Sequence, residues 1–301
     1  MKNTLRAILV IGLTFSIALL NGCTDSNLKK GRNYQKQKDY EQAIHYFTLA
    51  LEKDPENTSA RYALVETYAL KLIEENKEQP APETIEQSMT ELLPIAEPLM
   101  KDPNVKRYIS LIYQTLAKVY GEQGEHEKAA AAWAEVINIE PYLAEGYYNL
   151  GVAKAKLKQD EEAIKHFEKA VELNPYFIKG YYAMGNSLMH LKRDKEAVVQ
   201  YSKALEINPD DPEVRHNLGV AYSRAGQKEK AIEELEKTIE LEPGYMLAYM
   251  SLAGIYSKSG EKEKAEEVNK RWRTYAETYL ETPEEGTASA TPDASAEDTE
   301  S

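Results

Sequence analysis

Residues 144–177, AEGYYNLGVAKAKLKQDEEAIKHFEKAVELNPYF, decide the fold, because the residues around them repeat the same pattern at a fixed distance. Proline stands at Pro141, Pro175, Pro209 and Pro243, at one constant interval, and each is preceded by Asn or Glu. Small residues keep that phase at Ala129, Ala163, Ala197, Ala231 and Ala265, and large apolar ones at Trp133, Phe167, Tyr201 and Leu235. After the prolines come Tyr147, Tyr181 and Tyr249, and then the pairs Leu150-Gly151, Met184-Gly185, Leu218-Gly219 and Leu252-Ala253. A constant period of this length marks stacked units that share a continuous core; a bundle of unrelated amphipathic helices has no reason to keep one.

Within a unit the apolar residues fall three and four apart, as at Tyr147, Leu150 and Gly151, and so form one helical stripe. Glycine inside a helix costs about 1 kcal/mol relative to alanine. Gly151, Gly185 and Gly219 therefore predict close helix crossings that compensate. Each proline disfavours helix at the residue before it and closes the unit. An aromatic-x-x-Leu-Gly opening, a mid-unit Ala, an aromatic, an Ala and a Pro resemble the tetratricopeptide repeat, a helix–turn–helix unit of about 34 residues. The resemblance implies an all-α superhelical solenoid of about seven repeats with a C-terminal capping helix.

Working outward, repeats are expected at 110–143, 144–177, 178–211 and 212–245, and the seventh at 246–280 with the capping helix as its continuation. A first repeat is expected at 23–57, with Gly31 and Tyr34 in its first helix and Ala43, Phe47, Ala50 and Pro55 in its second. The period then fails, since the stretch from Pro55 to Pro141 is longer than two repeats by about half of a third. Residues 58–109 are read as a divergent second repeat with an insertion and the start of a long helix, Val105 to Tyr120. The excess is placed mostly between Glu74 and Pro103, as a polar loop to Pro82 and a helix from Glu83 to Leu93 that ends or kinks at Pro94. The loop either projects to confer partner specificity or is a tolerated surface connection.

Residues 1–22 read as a leader: Lys2 and Arg6 precede an apolar run, Ala7 to Leu20, too short for a comfortable transmembrane helix. Leu20-Asn21-Gly22-Cys23 resembles a bacterial lipobox, which implies a lipoprotein signal peptide, with Cys23 as the acylated first residue of the mature chain. Cys23 is the sole cysteine, so no internal disulfide competes for it. Thr24 rather than Asp after the cysteine favours, by the same resemblance, the periplasmic face of the outer membrane in a host that has one. The other end, residues 281–301, has seven acids, no base and no aromatic, and is expected to be a disordered acidic tail.

The net charge of −13 argues against a nucleic-acid partner. His45, His126, His166, His190 and His216 occupy different phases with no paired ligand spacing, so neither a metal nor another cofactor is expected. No catalytic constellation stands out. Glu161-Glu162 and Glu233-Glu234 are read as solvated acids near the starts of second helices, where negative charge suits the dipole.

The resemblance also implies that the first helix of each pair lines a concave face. Projecting the repeat phase onto that face selects Tyr148, Asn149 and Lys156; Lys179, Tyr182, Asn186 and His190; His216, Asn217 and Arg224; and Met250 and Lys258. Amides can pair with both groups of a peptide backbone, and the bases can hold a carboxylate. The alternative for Tyr148 and Tyr182 is that they pack between helices. The expected function is a non-enzymatic, lipid-anchored adaptor or scaffold that binds partner proteins or peptide segments in assembly of cell-envelope complexes. A narrower alternative is a pilotin-like factor for type IV pilus or secretin assembly, and a rival of another class is an accessory enzyme using the 74–103 insertion.

Overall fold

The computed structural model of the chain describes residues 21–75 and 81–279. The leader up to residue 20, residues 76–80 of the expected loop, and the acidic tail lie outside the described residues, as does the side chain of Cys23. Among the described residues the secondary structure is fourteen α-helices and one 3-10 turn, with no strand. The helices pair in chain order: α1 (Asn21–Lys36) with α2 (Tyr40–Lys53), α3 (Thr58–Glu75) with α4 (Pro82–Ala96), and α5 (Pro103–Glu122) with α6 (His126–Ile139). Then follow α7 (Ala144–Lys156) with α8 (Asp160–Leu173), next in order α9 (Ile178–His190) and α10 (Asp194–Ile207), then α11 (Pro212–Arg224) with α12 (Lys228–Leu241), and α13 (Met246–Lys258) with α14 (Lys262–Tyr279). The chain divides into two compact units, Met1–Ser187 and Leu188–Ser301, and the division falls inside α9.

The regular first helices, α7, α9, α11 and α13, have equal lengths and start at the same constant interval as the prolines. Their length follows from a turn that, among the described residues, recurs after the first helix of every repeat but the second. A residue with positive φ ends the first helix at Lys38, Gly124, Lys158, Lys192, Gly226 and Gly260. At Lys158 its amide bonds Ala155 O, and the next amide, Gln159, reaches back to Lys154 O; the other five turns repeat this pair of bonds. That is the Schellman closure of a helix C-terminus, which favours glycine because a Cβ is crowded at positive φ. Lys158 has φ 58° and Lys192 φ 59°. Lys158→Gly or Lys192→Gly is expected to stabilise its unit by about 0.5–1 kcal/mol, read as a higher urea midpoint.

Two of the crossings expected at the helical glycines, those at Gly151 and Gly219, are present. A Cβ added at Gly151 would lie 2.5 Å from Cε1 of Phe167, and one at Gly219 2.9 Å from Cγ of Leu235. Gly31 stands in the same close relation to Phe47. The sequence separation between glycine and large side chain is the same in all three, so each first helix presses its bare backbone onto the ring or branched side chain of the second. Phe47, Phe167 and Leu235 are essentially fully buried.

In the irregular region the helix expected from Glu83 is present as α4, while residues 76–80 of the expected loop lie outside the described residues. The spacing from Thr58 to Pro103 and that from Pro103 to Ala144 both exceed one regular repeat, so the excess is shared between the second and third. The boundary expected at 109/110 falls inside α5, which runs over 20 residues. Pro94 does not end α4. The helix continues to Ala96 because the amide of Glu97 bonds Leu93 O and holds the last turn, after which Glu97–Leu99 form the 3-10 turn. Ile85, Met89, Leu92 and Ala96 of α4 are buried in the core of the first unit. Tyr68 donates to Glu91 at 3.1 Å and Tyr120 donates to Glu86. Burial, reinforced by those carboxylates, holds both phenols above their ordinary pKa. Helix α4 is thus an integral second helix, and its polar residues brace the helices on either side.

At the other end, α14 is one continuous 18-residue helix, so the expected capping helix is the extended second helix of the last repeat. Its surface explains why the array can stop. Leu235 and Ile239 of α12 are buried, whereas the residues one repeat later, Asn269 and Arg273, are exposed and polar. Arg273 pairs with Glu266 on that same surface. Trp272 instead turns inward to Tyr249, with ring centroids 5.4 Å apart, and closes the core of the last pair. A terminal repeat with a polar outer face keeps an array soluble.

Candidate functional site

The projected face falls into two parts, one in each unit. In the first unit, α5, α6 and α7 enclose an open cleft of about 310 Å³. Its floor is Ala117, Ala129, Ala153 and the edge of the buried Trp133; the small residues leave the room. Asn149 and Lys156, both from the projected set, lie on its wall, joined by Lys118, Glu122 and His126. Lys118, Glu122 and Lys156 are exposed, while Asn149 is half-buried. This arrangement can seat a small apolar side chain on the Ala and Trp floor. The Asn149 amide can then pair with backbone, and the two ammonium groups can attract carboxylates.

Lys118 and Glu122 were not among the selected residues. The signal was available, since Lys118 has the phase of Asn186, two units earlier, and Glu122 that of Lys156, one unit earlier; the long third repeat obscured it. Tyr148, which was selected, is turned into the helix layer. Its ring meets Phe177 edge-on at 5.2 Å and Phe167 at 5.9 Å, and burial raises its phenol pKa. It therefore corresponds to the packing alternative. On α9, Lys179 is exposed and Tyr182 and Asn186 are half-buried.

In the second unit His190 is exposed, but two selected residues are committed to structure. His216 is 8% exposed on α11, with Nε2 3.0 Å from the Ser251 hydroxyl on α13 and Nδ1 3.2 Å from Asn217 Oδ1. Nδ1–H donating to Asn217 leaves Nε2 to accept from Ser251, the neutral tautomer. The ring also lies 5.3 Å from that of Tyr245. Arg224 places Nε 2.9 Å from Asp194 Oδ1 and donates through a terminal nitrogen to Met189 O at 2.9 Å, clamping the start of α10. Met250 and Lys258 are exposed on α13; with Leu247 and Met246, Met250 forms a small apolar patch. The acid pairs also separate. Glu161 and Glu162 lie in the first turn of α8, but Glu233 and Glu234 lie a turn further into α12 and engage Lys237 and Arg215.

Burial, against weaker opposing help from Asn217, lowers the His216 pKa. A histidine held neutral in the fold takes up its proton more readily when unfolded. The stability it supports is therefore complete above the unfolded pKa, about 6.5, and declines as pH falls toward the lower folded value. His166 shifts the same way, chiefly through burial. Urea midpoints measured from neutral to mildly acidic pH are expected to fall, and the fall should be shallower in His216→Gln.

Helix pairs at a constant period, stacked through small-residue crossings, define a helical-repeat protein. Family models described as tetratricopeptide repeat match residues 26–57 and 212–245 and residues 144–177, and one described as TPR repeat matches residues 185–226. The first three segments coincide with the pairs α1–α2, α11–α12 and α7–α8. Solved structures share the fold. A MamA protein superposes with TM-score 0.54 at 25% identity, covering 57% of this chain and 94% of that one. MamA 41-end from Desulfovibrio magneticus RS-1 gives 0.53 at 24%, covering 56% and 96%. YrrB, described as a TPR protein with an unusual peptide-binding site, gives 0.51 at 22%, covering 68% and 96%. No curated protein sequence matches the chain. Among the described residues no helix is long and apolar enough to cross a membrane, and no cluster of His, Cys, Asp or Glu could hold a metal ion.

Proposed function

We propose that this protein is a non-enzymatic adaptor of the bacterial cell envelope, anchored by lipid at Cys23, that holds a peptide segment of a partner in the cleft between α5, α6 and α7. The observation that carries the reading is the cleft itself: an Ala and Trp floor beneath an amide and two lysines, in a repeat fold whose structural neighbour YrrB is described as having a peptide-binding site. Two lysines against the one carboxylate of Glu122 on the rim favour segments with an acidic group, and the acidic remainder of the surface disfavours nucleic acid. Anchoring through several acyl chains on Cys23 would keep the adaptor at the membrane, at ~0.8 kcal/mol per buried CH2. A role in pilus or secretin assembly would be one case of this function. Burial of the described part of the insertion as a core helix supports the adaptor reading over the enzymatic rival.

The test is a peptide-display selection against the purified chain, followed by affinity measurement on Lys118→Glu/Lys156→Glu. Reversal of both rim charges is expected to weaken the selected peptides by about tenfold or more, because charge-assisted bonds contribute ~1.5–3 kcal/mol. Equal affinities in a variant with an unchanged helical spectrum would place binding elsewhere.

A further inference from the structure

The first helix carries a charge pattern unlike the rest of the chain. Residues 26–38, SNLKKGRNYQKQK, contain five bases and no acid, within a sequence whose net charge is −13. Lys29, Lys30, Lys36 and Lys38 are all exposed. Lys29, Arg32 and Lys36 follow one another at spacings of three and four, so they share one side of α1. Together with Asn33 of α1, Leu28, and Ser59 at the start of α3, they line an open cleft of about 540 Å³. Every polar side chain in that lining can donate a hydrogen bond, and none is a carboxylate. Arg32 shares its charge with Glu66, Lys30 lies 5.2 Å from the ring centre of Tyr46, and Lys38 is 3.5 Å from Glu74. The lining itself therefore brings three bases and no carboxylate to one cleft.

We infer that this side of α1 lies against anionic phospholipid headgroups, with a lipid phosphate seated among Lys29, Arg32, Asn33, Lys36 and Ser59, so that the first repeat is held down on the bilayer. The inference rests on the lipid anchor proposed above. Cys23 precedes Lys29 by six positions in the same helix, about 9 Å along its axis, which brings the bases within reach of the headgroups once the acyl chains are inserted. A basic segment beside an anchor attracts an anionic leaflet, with an effect confined to about a Debye length. The strongly acidic remainder of the chain is repelled by the same leaflet.

The mature lipoprotein, purified from host membranes and reconstituted into phosphatidylcholine vesicles with or without phosphatidylglycerol, tests this. Acylation leaves no thiol on the sole native cysteine, so Gln37→Cys, exposed just past the end of α1 and outside the cleft lining, can carry a fluorescent donor to headgroup-labelled lipid. Energy transfer is expected to rise when phosphatidylglycerol is present and to fall in high salt. In Lys29→Glu/Lys36→Glu the held-down fraction should drop by at least about 25-fold at low salt, from about fivefold per lysine. Transfer that ignores phosphatidylglycerol, salt and charge reversal overturns the inference while leaving the anchor intact. If the chain floats only with phosphatidylglycerol vesicles, the basic face stands and the anchor falls. A cleft that takes poly-glutamate in solution but shows no response to phosphatidylglycerol belongs to an acidic protein segment, which also overturns it.

Discussion

Phe167→Ala is expected to destabilise the first unit by about 3–5 kcal/mol, the range for truncating a buried aromatic side chain. Phe167 is 1% exposed, and the bare backbone at Gly151 lies directly over its ring. Tyr148 lies against the same ring from α7, and Phe167 itself belongs to α8, so the side chain joins both helices of the fourth repeat. Removing it leaves a cavity under a glycine, which has no side chain to relax into the space. Repeat arrays gain stability from nearest-neighbour interfaces, so a weakened pair can uncouple the repeats beside it. The denaturant transition is therefore expected to shift to lower midpoint and to broaden. A midpoint within error of the wild type would mean that Phe167 is not the link between these helices.

Gly151→Ala is the complementary change and is expected to cost about 1–3 kcal/mol through overpacking. On helix propensity alone it would gain about 1 kcal/mol. The sign is decided by space: the new Cβ would sit 2.5 Å from Cε1 of Phe167 and 2.7 Å from Cδ1, and the buried ring has no room to retreat. Gly254 in α13 provides the control. Nothing lies within 4 Å of a Cβ built there, so Gly254→Ala should recover the propensity gain of about 1 kcal/mol. Opposite signs at two helical glycines, read from urea midpoints, would separate packing from propensity. If both variants are stabilised, the helices of the fourth repeat are not in close contact at Gly151.

The sequence by itself determined the paired helices and their constant period. Turn, crossing glycine, buried ring and proline are local features, and each recurs at a fixed phase whatever surrounds it. The polar closure of the array was legible for the same reason, because Asn269 and Arg273 can be compared directly with Leu235 and Ile239 one repeat earlier. Only the tertiary structure decided which residues of the projected face remain accessible. Phase says which side of a helix a residue occupies, but not what stands opposite it on the next helix. Thus His216 is taken up by Ser251 on the first helix of the next repeat, Arg224 by Asp194 and Met189, and Tyr148 by Phe167 and Phe177, whereas Asn149 and Lys156 meet over a floor of alanines. The insertion divided in the same way. A helix from Glu83 was legible, but its continuation past Pro94 to Ala96 was not, because burial of Ile85, Met89 and Leu92 in a tertiary core outweighs the bond that Pro94 cannot make.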